Sequence, residues 1–146
     1  MRFRWNTCTK NFIWPRMHMN EQASEKSEGI VEAVVGAAYE VGNTLGAGFL
    51  EKVYERALVR ELALRGLRAE AQVPLSVIYK GESVGRYLAD IVVEGQVVLE
   101  LKCVDRLVDE HMAQCMNYLV ASGRNVCLLI NFQKAKVEWR RIVLRF

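Results

Sequence analysis

Asp90-Ile91-Val92-Val93-Glu94-Gly95-Gln96-Val97-Val98-Leu99-Glu100-Leu101-Lys102 is the stretch on which the fold turns. Ile91, Val92 and Val93 form a β-branched run, and Val97 to Leu101 form a second apolar run. Glu94-Gly95-Gln96 breaks them with a tight turn, so the pair reads as a hairpin. Side chains alternate along a strand, which puts Glu100 and Lys102 on one face and Leu101 on the other. Closing the hairpin sets Asp90 beside Glu100. Two carboxylates and an ammonium then converge at one sheet edge, next to buried surface.

That convergence has two readings. One is a salt-bridged hairpin with a polar face, since Glu-x-Lys is common on strands. The other is a site. Two hard oxygen donors can hold Mg²⁺ or Mn²⁺ while water and a substrate phosphate fill the remaining positions. Such a metal acidifies a water and offsets charge on phosphate, and Lys102 is placed to orient that water or stabilise the transition state.

Outward from the hairpin, the chain reads as one domain. Its 146 residues suffice for a real core. Half of them are hydrophobic and a quarter charged, the balance of a globular protein. No apolar run reaches the length of a membrane span. The net charge of +3 comes from the first 20 residues, where Arg2, Arg4, Lys10 and Arg16 stand without an acid; the other 126 sum to −1. Overall charge is therefore weak support for a nucleic-acid partner. Cys8, Cys103, Cys115 and Cys127 form no Cys-x-x-Cys pair, and the last three lie in apolar periodic segments. They read as reduced, mostly buried thiols of a cytoplasmic protein, without a structural zinc site.

Residues 1–22 differ from the rest. Trp5, Phe12, Trp14 and Pro15 sit among basic residues without a clear period, and the continuous apolar core of a signal peptide is missing. The segment is expected to be a basic disordered tail or an upstream translated stretch, with Met17 or Met19 as the native start; a transit peptide is the alternative. Residues 23–146 are expected to form the domain proper.

Ser24 or Ser27 is expected to cap a first helix, whose apolar period runs from Ile30 to Val41 and stops at Gly42-Asn43. Gly46-Ala47-Gly48 makes a sharp link. A second helix, about Phe49 to Leu64, carries the apolar set Leu50, Val53, Tyr54, Ala57, Leu58, Leu62 and Leu64 and ends at Gly66. Glu51 and Glu55, four apart, share a face of it. Glu51 is explained either by the favourable field of a helix N-terminus or as a third acidic ligand facing Asp90 and Glu100. Arg68 to Tyr79 reads as a strand that Pro74 confines to an edge, and a strand from Ser83 leads into Asp90. A third helix, about Leu107 to Ala121, shows two stripes. Val108, Met112, Cys115 and Leu119 are apolar and face the core. Leu107, His111, Gln114 and Tyr118 form either a polar flank beside the sheet or a stripe able to hydrogen-bond a ligand. Val126 to Phe132 and Val137 to Leu144 complete the strands. The order is thus α-α-β-β-β-α-β-β, an α/β (α+β) chain.

These residues together resemble a known family. Gly48-Phe49-Leu50-Glu51-Lys52-Val53-Tyr54 is similar to the Gly-x-x-Glu-x-x-Tyr signature of the GxxExxY protein family, which is placed in the PD-(D/E)xK nuclease superfamily. Tyr87-Leu88-Ala89-Asp90, Glu100-Leu101-Lys102, His111-Met112-Ala113-Gln114 with Tyr118-Leu119, and Leu129-Ile130-Asn131-Phe132 follow in order, so the resemblance covers roughly residues 26 to 146. It implies a restriction-endonuclease-like mixed central β-sheet flanked by helices. It implies Asp90, Glu100 and the Leu101 backbone carbonyl as metal ligands, with Glu51 as a further acidic group and Lys102 as the catalytic lysine. Gln114 and Tyr118 look like the Gln-x-x-x-Tyr motif of RecB-type nuclease domains, with His111 joining them one turn earlier. Ala89 stands where the superfamily's proline would be. The implied activity is metal-dependent hydrolysis of phosphodiesters in nucleic acid, DNA above all, with Mg²⁺ or Mn²⁺ and a water nucleophile. The alternative is a non-catalytic module that keeps the fold and grips nucleic acid or protein. The chain leaves little beyond a catalytic core, so a homodimer or a partner protein is expected to supply recognition surface.

Overall fold

The computed structural model describes residues 4–6, 11–14 and 21–144. In order they form β1 (Arg4–Asn6), β2 (Asn11–Trp14), α1 (Glu21–Leu45), α2 (Glu51–Leu64), β3 (Ala69–Tyr79), β4 (Glu82–Val93), β5 (Val97–Lys102), α3 (Asp109–Ser122), β6 (Val126–Asn131) and β7 (Glu138–Leu144). The strands make one mixed sheet in the order β1-β2-β7-β6-β5-β4-β3. From α1 onward the element order is the expected one, and β3 is the edge strand that Pro74 requires. Most of the expected tail over residues 1–22 lies outside the described residues, as does Cys8.

β3, β4 and β5 form an antiparallel meander. β5 then pairs in parallel with β6, and β6 antiparallel with β7. The parallel step needs a crossover, and α3 supplies it. β5 and β6 sit at the centre of the sheet, which is why Val97–Leu101 and Val126–Asn131 are buried on both faces. Two cores result. Beneath α1 and α2, Val34, Tyr54 and Leu58 pack on Ile91, Leu99 and Ile130. Beneath α3, Met112, Cys115 and Leu119 pack on Val98, Leu129 and Ile142. Fully burying one such aliphatic side chain stabilises the fold by roughly 1.5–3 kcal/mol.

Three local expectations change. α1 begins before Ser27, which is buried inside it, and continues through Gly42-Asn43 to Leu45. Gly42 is there for contact: a Cβ would come within 2.5 Å of a Val137 methyl. α2 begins after Leu50, which is exposed like Val53 and Leu64, and its buried stripe is Tyr54, Glu55, Leu58 and Leu62. In α3, Val108 lies outside the helix and exposed, and Met116 joins the apolar stripe. Among the described residues no helix is long and apolar enough to cross a membrane.

Candidate active site

The β4–β5 ladder pairs Val93 with Val97, Val92 with Val98 and Ile91 with Leu99, and ends there. Continuing the register sets Asp90 opposite Glu100. The next bond would run from Leu101 N–H to Ala89. It goes instead to the Asp90 carboxylate, whose Oδ2 accepts the Leu101 N–H at 2.7 Å. The strands separate at this point and leave a notch in the sheet.

β3 and β4 also change face here. Residues two apart on a strand should share a face. Yet Ala69 and Ile91 pack in the core under α1 and α2, while Val73 and Ala89 pack in the core under α3. The residue opposite Asp90 is Gln72, which takes a left-handed φ of 54°. Such a backbone is uncommon for a residue with a side chain and supplies the local twist. The Gln72 amide is fixed by donating to Glu55 Oε2 at 2.8 Å, and Lys52 reaches Glu55 Oε1 at 2.9 Å.

Strand alternation brings Glu100 and Lys102 to the face under α3. Their side chains form an ion pair at 3.3 Å and are only 5% and 19% exposed. Lys102 Nζ also donates to Gln114 Oε1 at 3.2 Å, and Gln114 Nε2 donates to the Tyr118 hydroxyl at 2.8 Å. A lysine can only donate, so it fixes the orientation of the amide, and the amide then fixes the tyrosine. Gln114 and Tyr118 meet because they are four apart on α3. His111 does not enter this chain: its Nδ1 accepts the Val108 N–H at 3.1 Å and so caps α3.

Glu51 is the first residue of α2 and lies at the mouth of the site. The loop before it is clasped by Tyr54, whose hydroxyl donates to the Gly46 carbonyl at 2.5 Å and accepts the Phe49 N–H at 3.3 Å. The Tyr54 ring stacks on Phe132 with centroids 4.7 Å apart. Tyr54 is thus the positioning residue of the Gly48-x-x-Glu51-x-x-Tyr54 pattern. At the far end of β5, buried Asn131 receives the Val104 and Gln133 N–H groups on Oδ1 and donates to the Val104 carbonyl. Glu55, Gln72 and Asn131 were not singled out as site residues from sequence. Only the shared helix face of Glu51 and Glu55 hinted at the first.

The electrostatics are those of crowded carboxylates. Burial, then the charge of Asp90, raises the Glu100 pKa to about 8 against the pull of Lys102. Burial raises Asp90 as well, opposed first by the Leu101 N–H. Glu51 is raised by burial and then by Asp90. The Tyr118 phenol is pushed up by burial and then by Glu100, so it stays protonated. Cys115 and Cys127 are free and buried, and Cys103 is free and half-buried.

The donor set fits a hard divalent cation. Glu100 Oε2 is buried without a hydrogen-bond partner, a costly state for a carboxylate oxygen. The Lys102 carbonyl bonds to Phe132 N–H on the β6 side, so alternation turns the Leu101 carbonyl toward Asp90. Asp90, Glu100 and this carbonyl are all oxygen donors. Among the described residues no group of three or more His, Cys, Asp or Glu side chains is placed to hold a metal ion, so the side-chain donors here are the two carboxylates.

Comparison with known proteins bears on family and fold. A family model described as the PD-(D/E)XK nuclease superfamily matches residues 28–142. No curated protein matches the sequence. The crystal structure of SSO0001 is similar with a TM-score of 0.52 and 16% identity, over 66% of this chain and 51% of that one. The chain therefore spans about half the length of SSO0001. An alkaline exonuclease (LHK-Exo) from Laribacter hongkongensis gives a TM-score of 0.45 and 13% identity, over 75% of this chain and 76% of that one.

Proposed function

This chain belongs to the PD-(D/E)XK nuclease superfamily, whose members typically use divalent metals, and we propose that it is a Mg²⁺- or Mn²⁺-dependent nuclease of the GxxExxY type acting on DNA. The observation that carries the reading is the buried, unpartnered Glu100 Oε2 beside Asp90, with Lys102 ion-paired to the same carboxylate.

Asp90, Glu100 and the Leu101 carbonyl would hold the cation. When bound, it offsets negative charge on the scissile phosphate and makes the attacking water more acidic. Lys102 has its ammonium fixed by Glu100 and Gln114, with a remaining proton free to donate to that water or to a phosphoryl oxygen. Glu51, its pKa raised at the mouth, is suited to take the water's proton. Water adds to phosphorus as Glu51 takes its proton, the P–O bond to the leaving sugar oxygen breaks, and that oxygen takes a proton from solvent, so that a phosphate monoester and a hydroxyl remain. Tyr118 and Gln114 act by holding Lys102. His111 supports the site by capping α3. The three free thiols among the described residues fit a reducing compartment such as the cytoplasm.

The near-neutral body favours a second reading, a module that binds nucleic acid or protein without cutting. In the nuclease reading, the same shortage of cations calls for a homodimer or partner protein to add recognition surface. Calorimetry with Mg²⁺ or Mn²⁺ on wild type, the Asp90→Ala/Glu100→Ala double variant and Lys102→Met separates the two, with cleavage of mixed DNA substrates as the second readout. A nuclease shows metal binding and cutting that vanish together in the double variant. Lys102→Met should keep the metal and lose cutting by ~100-fold or more. A wild type that binds no metal, with or without DNA, leaves the binding module.

A further inference from the structure

Exposed aromatic and apolar side chains flank the site residues in the chain. Tyr87 lies three residues before Asp90 on β4 and is 42% exposed, and Leu88 beside it is 51% exposed. Phe49 and Leu50, just before Glu51, are 48% and 78% exposed. Lys52 and Lys102, on the elements that carry Glu51 and Glu100, are engaged with Glu55 and Glu100. Duplex binding depends on free lysines and arginines along both backbones. Single-strand binding depends on aromatic platforms for unstacked bases.

Tyr87 has the properties of such a platform. Its ring sits 5.8 Å from that of Tyr118 at 63°. Tyr118 is buried and connects through Gln114 to Lys102. An exposed ring is thus braced against the hydrogen-bonded chain that ends at the catalytic lysine.

We propose that Tyr87 stacks a nucleobase next to the scissile phosphate, so that the substrate is single-stranded nucleic acid or an unpaired end rather than intact duplex. The proposal rests on the nuclease reading and extends it to substrate class. An exposed ring serving only to shield Tyr118 would not discriminate between strands.

The test measures anisotropy of a short fluorescein-labelled thymidine oligonucleotide, alone and annealed to its complement. Ca²⁺ replaces Mg²⁺ so that the carboxylates are neutralised, and the oligonucleotide is checked for integrity afterwards. Wild type should bind the single strand more tightly than the duplex. Tyr87→Ala should weaken single-strand binding about tenfold, and Tyr87→Phe, which keeps the ring, should not. Oligonucleotides carrying an abasic site at each position in turn should cost wild type the same factor at one position, with no further loss in Tyr87→Ala. Equal binding of both forms, additive losses, an unaffected Tyr87→Ala or a wild type that binds neither form overturns the proposal. The same proteins are then given Mg²⁺. Cleavage by wild type together with an unaffected Tyr87→Ala removes the stacking role and leaves the nuclease. Tyr87-dependent binding without cleavage removes the nuclease and leaves the stacking role.

Discussion

Asp90 accepts the N–H of Leu101 at 2.7 Å, and at that bond β4 and β5 part. One side chain therefore ends a ladder and stands beside Glu100 at the notch it creates. Asp90→Asn keeps an oxygen to receive the N–H and removes the charge. Asp90→Ala removes both. The two variants should differ by ~1–2 kcal/mol in urea unfolding, the contribution of the bond. Both should lose Mg²⁺ affinity, since each lacks the anionic ligand. Equal stability of Asn and Ala would show that the hydrogen bond does not hold the notch.

Stability should depend on pH in the sense opposite to ordinary acid denaturation. Glu100 is raised from 4.5 to about 8 by burial and then by Asp90. The folded state therefore holds this proton more tightly than the unfolded chain, and unfolding between these pH values releases it. The cost of ionising Glu100 in place is absent below pH 4.5 and complete above pH 8, on the order of a few kcal/mol. Asp90 and Glu51, both raised, act in the same direction. Metal-free protein should have a higher Tm at pH 5.5 than at pH 8 (, roughly the two ends of this window). Mg²⁺, which needs the ionised form, should raise Tm more at pH 8 and release protons on binding. Glu100→Gln should flatten the slope; a metal-free Tm that rises toward pH 8 would contradict the assignment.

Much of this site was legible from sequence because it rests on strand geometry. Alternation alone placed Glu100 with Lys102, and a tight turn alone placed Asp90 opposite Glu100. The lysine's link to Gln114 and Tyr118 was half visible in the spacing on α3. What escaped depended on neighbours distant in the chain. Gln72 reads as an ordinary strand residue until β4 is laid beside it and its left-handed backbone is seen to face Asp90. Leu50 and Val53 fit the apolar period of α2, yet among the described residues both are exposed, while charged Glu55 is buried alongside Tyr54 and Leu58. His111 has the spacing of a site residue, yet the free N–H at the start of α3 lies closer and captures its ring.

Tyr54 makes two separable contributions. Its ring stacks on Phe132, and its hydroxyl clasps the Gly46–Phe49 loop. Tyr54→Phe keeps the first and loses the second, leaving the Gly46 carbonyl and the Phe49 N–H without the phenol. It should cost ~1–2 kcal/mol in urea unfolding and lower kcat through Glu51 with metal affinity nearly unchanged. Gly48→Ala should act on the same loop by another route. A Cβ there meets nothing within 4 Å, but φ is +108°, where a side chain is strained. If Tyr54→Phe matches wild type in both stability and kcat, the clasp does not position Glu51.

Asn131 is fully buried, and its amide joins the end of β6 to the chain leaving β5 through three hydrogen bonds to Val104 and Gln133. Lys102 lies directly beside it in the parallel register. Asn131→Leu fills a similar volume and strands two N–H groups and a carbonyl, so it should destabilise by ~2–4 kcal/mol. Asn131→Asp keeps the two accepted bonds and loses the donated one, while placing a second buried anion near Lys102. It should therefore retain more stability than Asn131→Leu at low pH and lose that advantage as the new carboxyl ionises. Urea unfolding of both variants across pH 5 to 8 (, roughly the window in which a buried carboxyl titrates) reads the difference. A pH-independent gap between them would mean that the amide acts by packing alone, and that the hydrogen bonds to Val104 and Gln133 do not set the path from β5 to α3.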